Sequence, residues 1–306
     1  MTRTDIEAAY ERIRGYVRTT PVFEPGTGAF GIERPLVLKL EQLQHTGSFK
    51  PRGAFNRILA NEVPEAGVIA ASGGNHGLGV AFAAARVGVA AEIFIPDSSP
   101  QTKIEGIREL GATVHVVPGY YAEALEASRS RASETGALVV HAYDQPEVAA
   151  GQGTVGLELQ EQAPDVDSVL VAVGGAGLIG GISTWFGGDV RVIGVEPELC
   201  PTLHTALERG EPVDVEVGGV AADALGAARA GRHGFAAARR FVDRVVLVPD
   251  EAIEWARSRL WLDAKIASEP GGATALAALL SGAYEPGPEQ RLGVLVCGAN
   301  ADPATL

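Results

Sequence analysis

The sequence contains little cysteine, which limits the covalent links and metal centres that it can form. Only two cysteines, Cys200 and Cys297, occur among 306 residues, and they are far apart in the chain. They fit no metal-ligand spacing, so no cysteine-based metal site is expected. A disulfide between them is one alternative, but two free thiols in a reducing cytoplasm are the simpler interpretation.

The sequence also lacks an excess of positive charge and any long apolar run. The 38 acidic residues outnumber the 25 basic ones, giving a formal net charge of −13. An acidic chain repels phosphate backbones, so no nucleic-acid partner is expected. No stretch approaches about 20 consecutive apolar residues, and the N-terminus lacks the apolar core of a signal peptide. These absences favour a soluble, cytoplasmic protein with no membrane contact.

What the sequence does contain is a regular alternation of β-branched runs with Ala- and Leu-rich segments. Candidate strands are residues 36–40, 68–71, 92–95, 113–117, 138–141, 168–173, 191–196, 244–248 and 292–297. Helix-like segments between them include residues 77–87, 101–110, 121–134 and 148–162. This alternation predicts an α/β protein with a mostly parallel sheet and helices on both faces. Ligands bind such sheets at the carboxyl ends of strands, so four strand-to-loop junctions are candidates for chemistry.

The first junction carries Lys50 in the segment T-G-S-F-K-P-R-G. Pro51 disfavours helix at Lys50 but suits the first turn of a helix that runs to Leu59. Lys50 would then lie at the positive end of a helix, where the field disfavours the protonated amine. Schiff-base chemistry needs a lysine activated in this way. The structural alternative is a solvated lysine in a turn.

The second junction is S-G-G-N-H-G, residues 72–77, directly after a predicted strand. Its glycines let a ligand approach the backbone, and the N-terminus of the following helix suits a carboxylate. The Asn75 side chain can both donate and accept hydrogen bonds. A tight turn capped by Ser72 or Asn75 would explain the same residues structurally.

The third junction is G-G-A-G-L-I-G-G, residues 174–181, and three interpretations of it are open. Backbone amides at a helix start form an anion cradle. The segment also contains G-x-G-x-x-G, and Glu196 ends the next strand, which together are typical of a dinucleotide-binding fold. Close packing of strand and helix is the third interpretation. At the fourth junction, C-G-A-N, Cys297 is either a weak hydrogen-bonding partner for a heterocycle nitrogen or a small core residue.

Together these motifs resemble the fold-type II pyridoxal-phosphate (PLP) enzymes, the tryptophan synthase β-like family, and within it the serine/threonine dehydratases, or threonine ammonia-lyases. The resemblance covers nearly the whole chain, in motif order, through K-L-E-Q-L-Q-H-T-G-S-F-K-P-R-G, S-G-G-N-H-G, V-G-G-A-G-L-I-G-G, G-V-E-P, S-E-P-G-G-A and C-G-A-N. It implies two open, mostly parallel twisted sheets with helices on both faces, and an active site in an interdomain cleft. Residues 64–143 would form a small domain inserted into a large one, residues 1–63 plus 144–306. It also implies a homodimer.

The resemblance assigns roles to individual residues. Lys50 would form the Schiff base with PLP and then move the Cα proton of the substrate. Phe49 would lie on one face of the cofactor ring and Gly219 near the other, while Asn75 would hydrogen-bond the phenolic oxygen. The phosphate loop, the partner of the pyridine nitrogen and a nearby carboxylate would be Gly174, Gly175, Ala176, Gly177, Leu178, Cys297 and Glu269. The substrate carboxylate would be bordered by Ser72, Gly73, Asn75 and His76.

Departures from relatives narrow the expected reaction. Serine racemases of this family usually have a second serine where this chain has Gly73. Cation-binding relatives usually pair the Glu of G-V-E-P with an acid six residues later, but here Glu196 is followed by Thr202, so no metal is expected. Cysteine-synthase-like relatives usually have threonine at the position of His76. The chain ends soon after C-G-A-N, so no C-terminal regulatory domain is expected.

The sequence therefore predicts PLP-dependent β-elimination of water from L-threonine or L-serine, giving a 2-oxo acid and ammonia. Other PLP reactions remain open: β-replacement of the cysteine-synthase type, racemisation, or dehydration of a hydroxyaspartate-like substrate. An NAD-dependent oxidoreductase would explain G-x-G-x-x-G and Glu196 but neither Lys50 nor S-G-G-N-H-G. A non-enzymatic PLP or amino-acid binding protein would not need Lys50.

Overall fold

The large sheet brings together strands from both ends of the sequence. The computed structural model describes residues 1–97, 99, 101–302 and 305. The sheet consists of β1 Val22–Phe23, β2 Leu36–Leu40, β7 Ser168–Ala172, β8 Arg191–Pro197, β9 Val242–Val248 and β10 Leu292–Val296. Their order is β1-β2-β10-β7-β8-β9, and all pairs are parallel except β1 with β2. Every residue of β2, β7 and β10 is buried, which explains their nearly continuous apolar sequences.

A second, smaller sheet is built from one continuous part of the chain. It consists of β3 Val68–Ala71, β4 Ala91–Pro96, β5 Thr113–Val117 and β6 Leu138–Val139, in the order β5-β4-β3-β6. All three pairings are parallel. Strand β6 is shorter than predicted because the His141 amide donates to the Gln145 side chain, at 2.9 Å, instead of continuing the ladder.

Twelve α-helices occur within the described residues, and the α/β class predicted from the sequence is confirmed. They are α1 Arg3–Ile13, α2 Lys50–Leu59, α3 Asn75–Val87, α4 Gln101–Glu109, α5 Tyr121–Thr135, α6 Pro146–Gln162, α7 Gly177–Phe186, α8 Thr202–Arg209, α9 Ala222–Leu225, α10 Arg232–Phe241, α11 Asp250–Ala264 and α12 Pro270–Leu280. Helix α2 begins at Lys50, one residue earlier than predicted. Phe49 already has right-handed helical dihedral angles, φ −61° and ψ −15°, so the proline does not delay the helix.

Two hydrophobic clusters lie under the two sheets, and α2 packs between them. The larger cluster surrounds β2, β7, β8 and β10. The cluster under the smaller sheet also contains Phe55 and Ile58 of α2, together with Ile13 and Val148. These four side chains come from outside residues 64–143, so the helix that carries Lys50 is held by the core of the smaller sheet as well.

Two sequence-based expectations concern absences. Among the described residues, no helix is both long enough and apolar enough to cross a bilayer. Within that same part of the chain, no group of three or more His, Cys, Asp and Glu side chains is arranged to hold a metal ion.

Candidate active site

The strand order brings three of the predicted junctions to one place. Strand β10 lies between β2 and β7 and pairs parallel with both, so the loops after these strands leave the same edge of the sheet. They surround a space that we call the inner cavity. It is lined by ten of the eleven residues predicted to hold the cofactor: Phe49, Lys50, Asn75, Gly174, Gly175, Ala176, Gly177, Leu178, Glu269 and Cys297.

Lys50 presents a buried amine to this cavity. Its Nζ atom donates a hydrogen bond to the main-chain oxygen of Ala142 at 3.2 Å and lies 5.1 Å from the centre of the Phe49 ring. Burial lowers the pKa of Lys50 to about 8, against the opposing effects of Cys297 and Glu269. The sequence predicted a lowered pKa from the helix terminus, but the main cause is burial, which disfavours the charged amine.

The glycine loop between β7 and α7 forms a cradle in which side chains are excluded. A Cβ atom on Gly175 would lie 2.3 Å from the Tyr143 ring, and one on Gly174 would lie 2.9 Å from the Leu225 carbonyl oxygen. Helix α7 begins directly after the loop, and the first amides of a helix have no acceptor within it. These amides and the helix dipole fit a phosphate group.

The side chains opposite the loop are buried groups whose protonation is set by desolvation. Cys297 Sγ donates to the Gly271 carbonyl oxygen at 3.4 Å, and burial raises the pKa of this thiol. Burial also raises the pKa of Glu269 to about 7, although the hydrogen bond from Asn75 Nδ2, at 2.6 Å, favours the carboxylate. A protonated thiol therefore faces the cavity beside a carboxyl group that titrates near neutral pH.

Gly219 is the one predicted cofactor residue that lies outside the inner cavity. It packs against Asp250 at the start of α11: a Cβ atom on Gly219 would lie 2.7 Å from that carboxylate, and the Val220 amide donates to Asp250 Oδ2 at 3.0 Å. After this turn the chain enters α9, which carries Ala224 to the wall of the cavity. Ala224, not Gly219, therefore occupies the position that the resemblance gave to a small residue beside the cofactor.

A second space, the outer cavity, adjoins the inner one and has a volume of about 500 Å³. Lys50 lines both. All four residues predicted to border the substrate carboxylate line the outer cavity: Ser72, Gly73, Asn75 and His76. The N-terminus of α3 opens into this space, as the sequence predicted for a carboxylate site.

The His76 ring is committed to the protein rather than to a ligand. Its Nε2 atom lies 2.8 Å from the main-chain oxygen of Val140. A carbonyl oxygen only accepts, so Nε2 carries the proton. Burial lowers the pKa of His76 to about 3, and the ring is neutral at neutral pH. His76 therefore borders the outer cavity without supplying a positive charge.

Gly73 lies where a side chain would collide with its neighbours. A Cβ atom there would be 2.3 Å from Ser99 Oγ and 2.9 Å from Ile95 Cγ2. A serine at this position, which the racemase pattern requires, does not fit unless Ser99 moves.

Glu196 has a structural role that excludes its use as a ribose-binding or metal-binding carboxylate. It is fully buried at the end of β8, and its two oxygens accept the amides of Leu203 at 2.7 Å and His204 at 2.8 Å, at the start of α8. Burial raises its pKa to about 8. Because both oxygens are occupied by the helix terminus, the dinucleotide interpretation loses its acidic partner.

Sequence reasoning missed several residues that line these cavities. Tyr143 lines both, and Ala142 supplies the acceptor for Lys50. Both follow the predicted strand 138–141, a fifth strand-to-loop junction whose position was the available signal. Gln152 lines the inner cavity with a buried side-chain oxygen that has no hydrogen-bond partner among the described residues. An unpaired buried polar atom of this kind fits a cavity that receives a polar ligand.

Comparisons with known proteins agree with this geometry. The family described as "Pyridoxal-phosphate dependent enzyme" matches residues 13–298. L-threonine ammonia-lyase of Geobacter sulfurreducens is 41% identical over 91% of this chain and 70% of its own length. Phenylserine dehydratase of Ralstonia pickettii is 38% identical over 96% of this chain and 92% of its own.

Solved structures give the same result across the whole chain. A bacterial threonine deaminase, from T.th., matches with a TM-score of 0.92 and 37% identity, covering 99% of each chain. Maize serine racemase matches with a TM-score of 0.93 and 32% identity, covering 99% of this chain and 95% of that one.

Proposed function

The chain belongs to the pyridoxal-phosphate dependent enzymes, and we propose that it is a threonine ammonia-lyase, which dehydrates L-threonine to a 2-oxo acid and ammonia. PLP is the cofactor, and the enzyme is a lyase of the ammonia-lyase type. The observation that carries the proposal is Lys50: a buried amine with a pKa of about 8, between a glycine cradle and a protonated thiol. L-Serine, which lacks only a methyl group, is a second substrate of the same kind.

The residues of the inner cavity fit PLP by their chemistry. The glycine loop and the first amides of α7 would hold the phosphate. Cys297, a protonated donor, would face the pyridine nitrogen without fixing a positive charge on it, which favours β-elimination. When bound, PLP withdraws electrons from the substrate Cα, while the protein supplies placement and proton transfer.

Lys50 would act as the base that removes the Cα proton. A pKa of about 8 leaves a fraction of its amine neutral at neutral pH, and a base is most effective when its pKa lies near the working pH. The substrate carboxylate would lie at the N-terminus of α3, with Ser72 and Asn75 beside it.

Two alternative reactions of the family lack support in the outer cavity. Gly73 replaces the second acid/base serine of a racemase, and Ser99 occupies the space beside it. Hydroxyaspartate carries a second carboxylate, yet Lys50 is the only Lys or Arg among the described residues that line this cavity. His76 is neutral there and offers no compensating charge.

A β-aryl β-hydroxy amino acid is the second candidate substrate, and a specific feature favours it. Three tyrosines, Tyr120, Tyr121 and Tyr143, line the outer cavity. Aromatic side chains favour contact with another ring. A relative with 38% identity, the dehydratase from Ralstonia pickettii, is named for phenylserine.

The test is release of 2-oxo acid by purified protein supplied with PLP. Threonine, serine, phenylserine, and O-acetylserine with sulfide would be compared, with chiral analysis of the recovered amino acid. We expect release from threonine, and complete loss of both activity and yellow colour in Lys50→Ala with the fold unchanged. Full activity in that variant, or coloured protein that is inactive on every hydroxy amino acid, would overturn the proposal.

We also propose a homodimer that functions in the cytoplasm. Trp255 and Leu262 of α11 are 50% and 63% exposed, and exposed apolar groups of this size commonly mark subunit contacts. Both cysteines are free and buried, which suits a reducing compartment. Light scattering coupled to gel filtration would give the mass; a monomer would refute the dimer.

A further inference from the structure

We infer that Asn300 is a positioning residue, which orients the Asn75 amide so that its N–H groups face Glu269 and the inner cavity. Asn300 belongs to the C-G-A-N motif after β10, and the sequence assigned it no role. The inference rests on PLP as the cofactor but not on the identity of the substrate.

The orientation follows from a chain of three hydrogen bonds. Asn300 Nδ2 donates to the main-chain oxygen of Thr46 at 2.7 Å and to Asn75 Oδ1 at 2.7 Å. Asn75 Nδ2 in turn donates to Glu269 Oε1 at 2.6 Å. One amide therefore spans Thr46 and Asn75, and the second amide spans Asn300 and Glu269.

The main-chain carbonyl of Thr46 determines the polarity of this chain. A carbonyl oxygen only accepts, so the Asn300 atom beside it must be the nitrogen. That nitrogen also meets Asn75, so the facing atom of Asn75 must be its oxygen. The Asn75 nitrogen is consequently on the opposite side, facing Glu269, and both amides have one allowed orientation.

Glu269 alone would not impose this orientation. A carboxylate accepts from an amide nitrogen, but a protonated carboxyl group can also donate to an amide oxygen. Because burial raises the pKa of Glu269 to about 7, both forms occur near neutral pH. The Thr46 carbonyl has no such second form, so Asn300 carries a fixed polarity to Asn75.

The consequence concerns the phenolic oxygen of the cofactor. An oxygen with negative charge is stabilised by an N–H donor and destabilised by an amide oxygen. Asn75 is the first residue of α3, whereas Thr46, Glu269 and Asn300 belong to the part of the chain that forms the large sheet. Asn300 thus sets a donor from one side of the cleft against a ligand held by the other.

The experiment compares Asn300→Ala, Asn75→Ala and the double variant. Apo-protein is titrated with PLP, and both the dissociation constant and the visible absorbance maximum of the bound cofactor are recorded. Losing an oriented neutral hydrogen bond corresponds to about a tenfold weaker affinity, so each single variant should weaken PLP binding by about this factor and shift the absorbance maximum. Because Asn300 acts through Asn75, the double variant should match Asn75→Ala.

Two further variants keep the test decisive. Asn300→Asp preserves shape but cannot donate to Thr46, so it should shift the absorbance maximum as Asn300→Ala does. Asn61→Asp is the matched control, because Asn61 also donates to a main-chain carbonyl, that of Arg57 at 2.7 Å, away from both cavities. Effects that multiply in the double variant, or an unchanged spectrum in folded Asn300→Asp, would overturn the inference. No substrate is used, so failure of threonine turnover leaves this result readable.

Discussion

Burial sets the acid–base state of the groups around the inner cavity. It lowers the pKa of Lys50 to about 8, raises that of Glu269 to about 7, and raises that of Cys297 so that the thiol stays protonated. The three shifts share one cause, since a low-dielectric site disfavours charge of either sign. The site therefore contains a partly neutral amine and a neutral thiol at neutral pH.

Glu269 makes a testable contribution to the pH dependence of stability. Its pKa is about 7 in the folded protein against an ordinary 4.5, so folding binds a proton between these values. Its stabilising effect is complete below about pH 4.5 and is lost as the pH rises through 7. In apo-protein, the free energy of unfolding of Glu269→Gln minus that of wild type should rise by about 3 kcal/mol across this range.

The measurement is urea unfolding of apo-protein at several pH values. The exposed carboxylate of Glu285 offers a control, because Glu285→Gln should leave the difference flat. A flat difference for Glu269→Gln as well would mean that Glu269 keeps its charge in the folded protein.

At the scale of elements, a buried ion cluster fixes the helix that carries Lys50. The cluster consists of Lys39, Glu41, Arg52 and Glu158, all at most 1% exposed. Arg52 of α2 donates two hydrogen bonds to Glu41 and two to Glu158, at 2.7–2.8 Å. Lys39 of β2 donates to Glu158 at 2.8 Å. Two positive and two negative groups cancel, so α2 is tied to β2 and α6 without net buried charge.

Breaking this cluster should destabilise the protein strongly. Arg52→Met removes one positive charge and leaves a buried excess of negative charge, which costs about 3–5 kcal/mol of unfolding free energy. Adding Glu41→Gln restores neutrality and should recover part of the loss. Denaturant unfolding of the two variants provides the measurement; a double variant less stable than Arg52→Met would contradict the charge argument.

The scale of the whole molecule concerns how the two sheets meet. We propose that residues 64–143 are a small domain that closes over the substrate. An ion pair between Lys103 of α4 and Asp223 of α9 spans the mouth of the outer cavity and links the two parts. The pair is partly exposed, 20% for Lys103 and 62% for Asp223, so its strength is limited by solvent screening.

Removal of this pair should affect closure weakly and chemistry not at all. Asp223→Asn should raise KM for threonine by up to about fivefold, corresponding to at most about 1 kcal/mol, with kcat retained. Raised ionic strength should reproduce the effect in wild type. Asp214→Asn, which breaks the exposed pair with Arg229 away from the cleft, is the control. A large loss of kcat in Asp223→Asn would instead indicate a role in the reaction.

The overall architecture does not distinguish the reactions of this family. The TM-scores to a threonine deaminase and a serine racemase are 0.92 and 0.93. The discriminating features are local: Gly73 with Ser99 beside it, and the absence of a second cation among the described residues lining the outer cavity. Function in this protein is therefore argued from the site and not from the fold.

The sequence by itself determined the α/β class, the strands of both sheets except β1, and the cofactor. Buried parallel strands are continuous apolar runs, and the residues that bind the cofactor follow those strands in short motifs. Both signals are local in sequence. The two-residue strand β1 escaped prediction because so short a segment has no periodicity.

Only the tertiary structure decided what depends on distant partners. It moved the small-residue position from Gly219 to Ala224, because the chain turns at Asp250 before α9 reaches the cavity. It committed both oxygens of Glu196 to a helix terminus and joined Asn75 to Asn300 across 225 positions. Hydrogen bonds and desolvation are set by neighbours in space, and those neighbours leave no pattern near the residue in sequence.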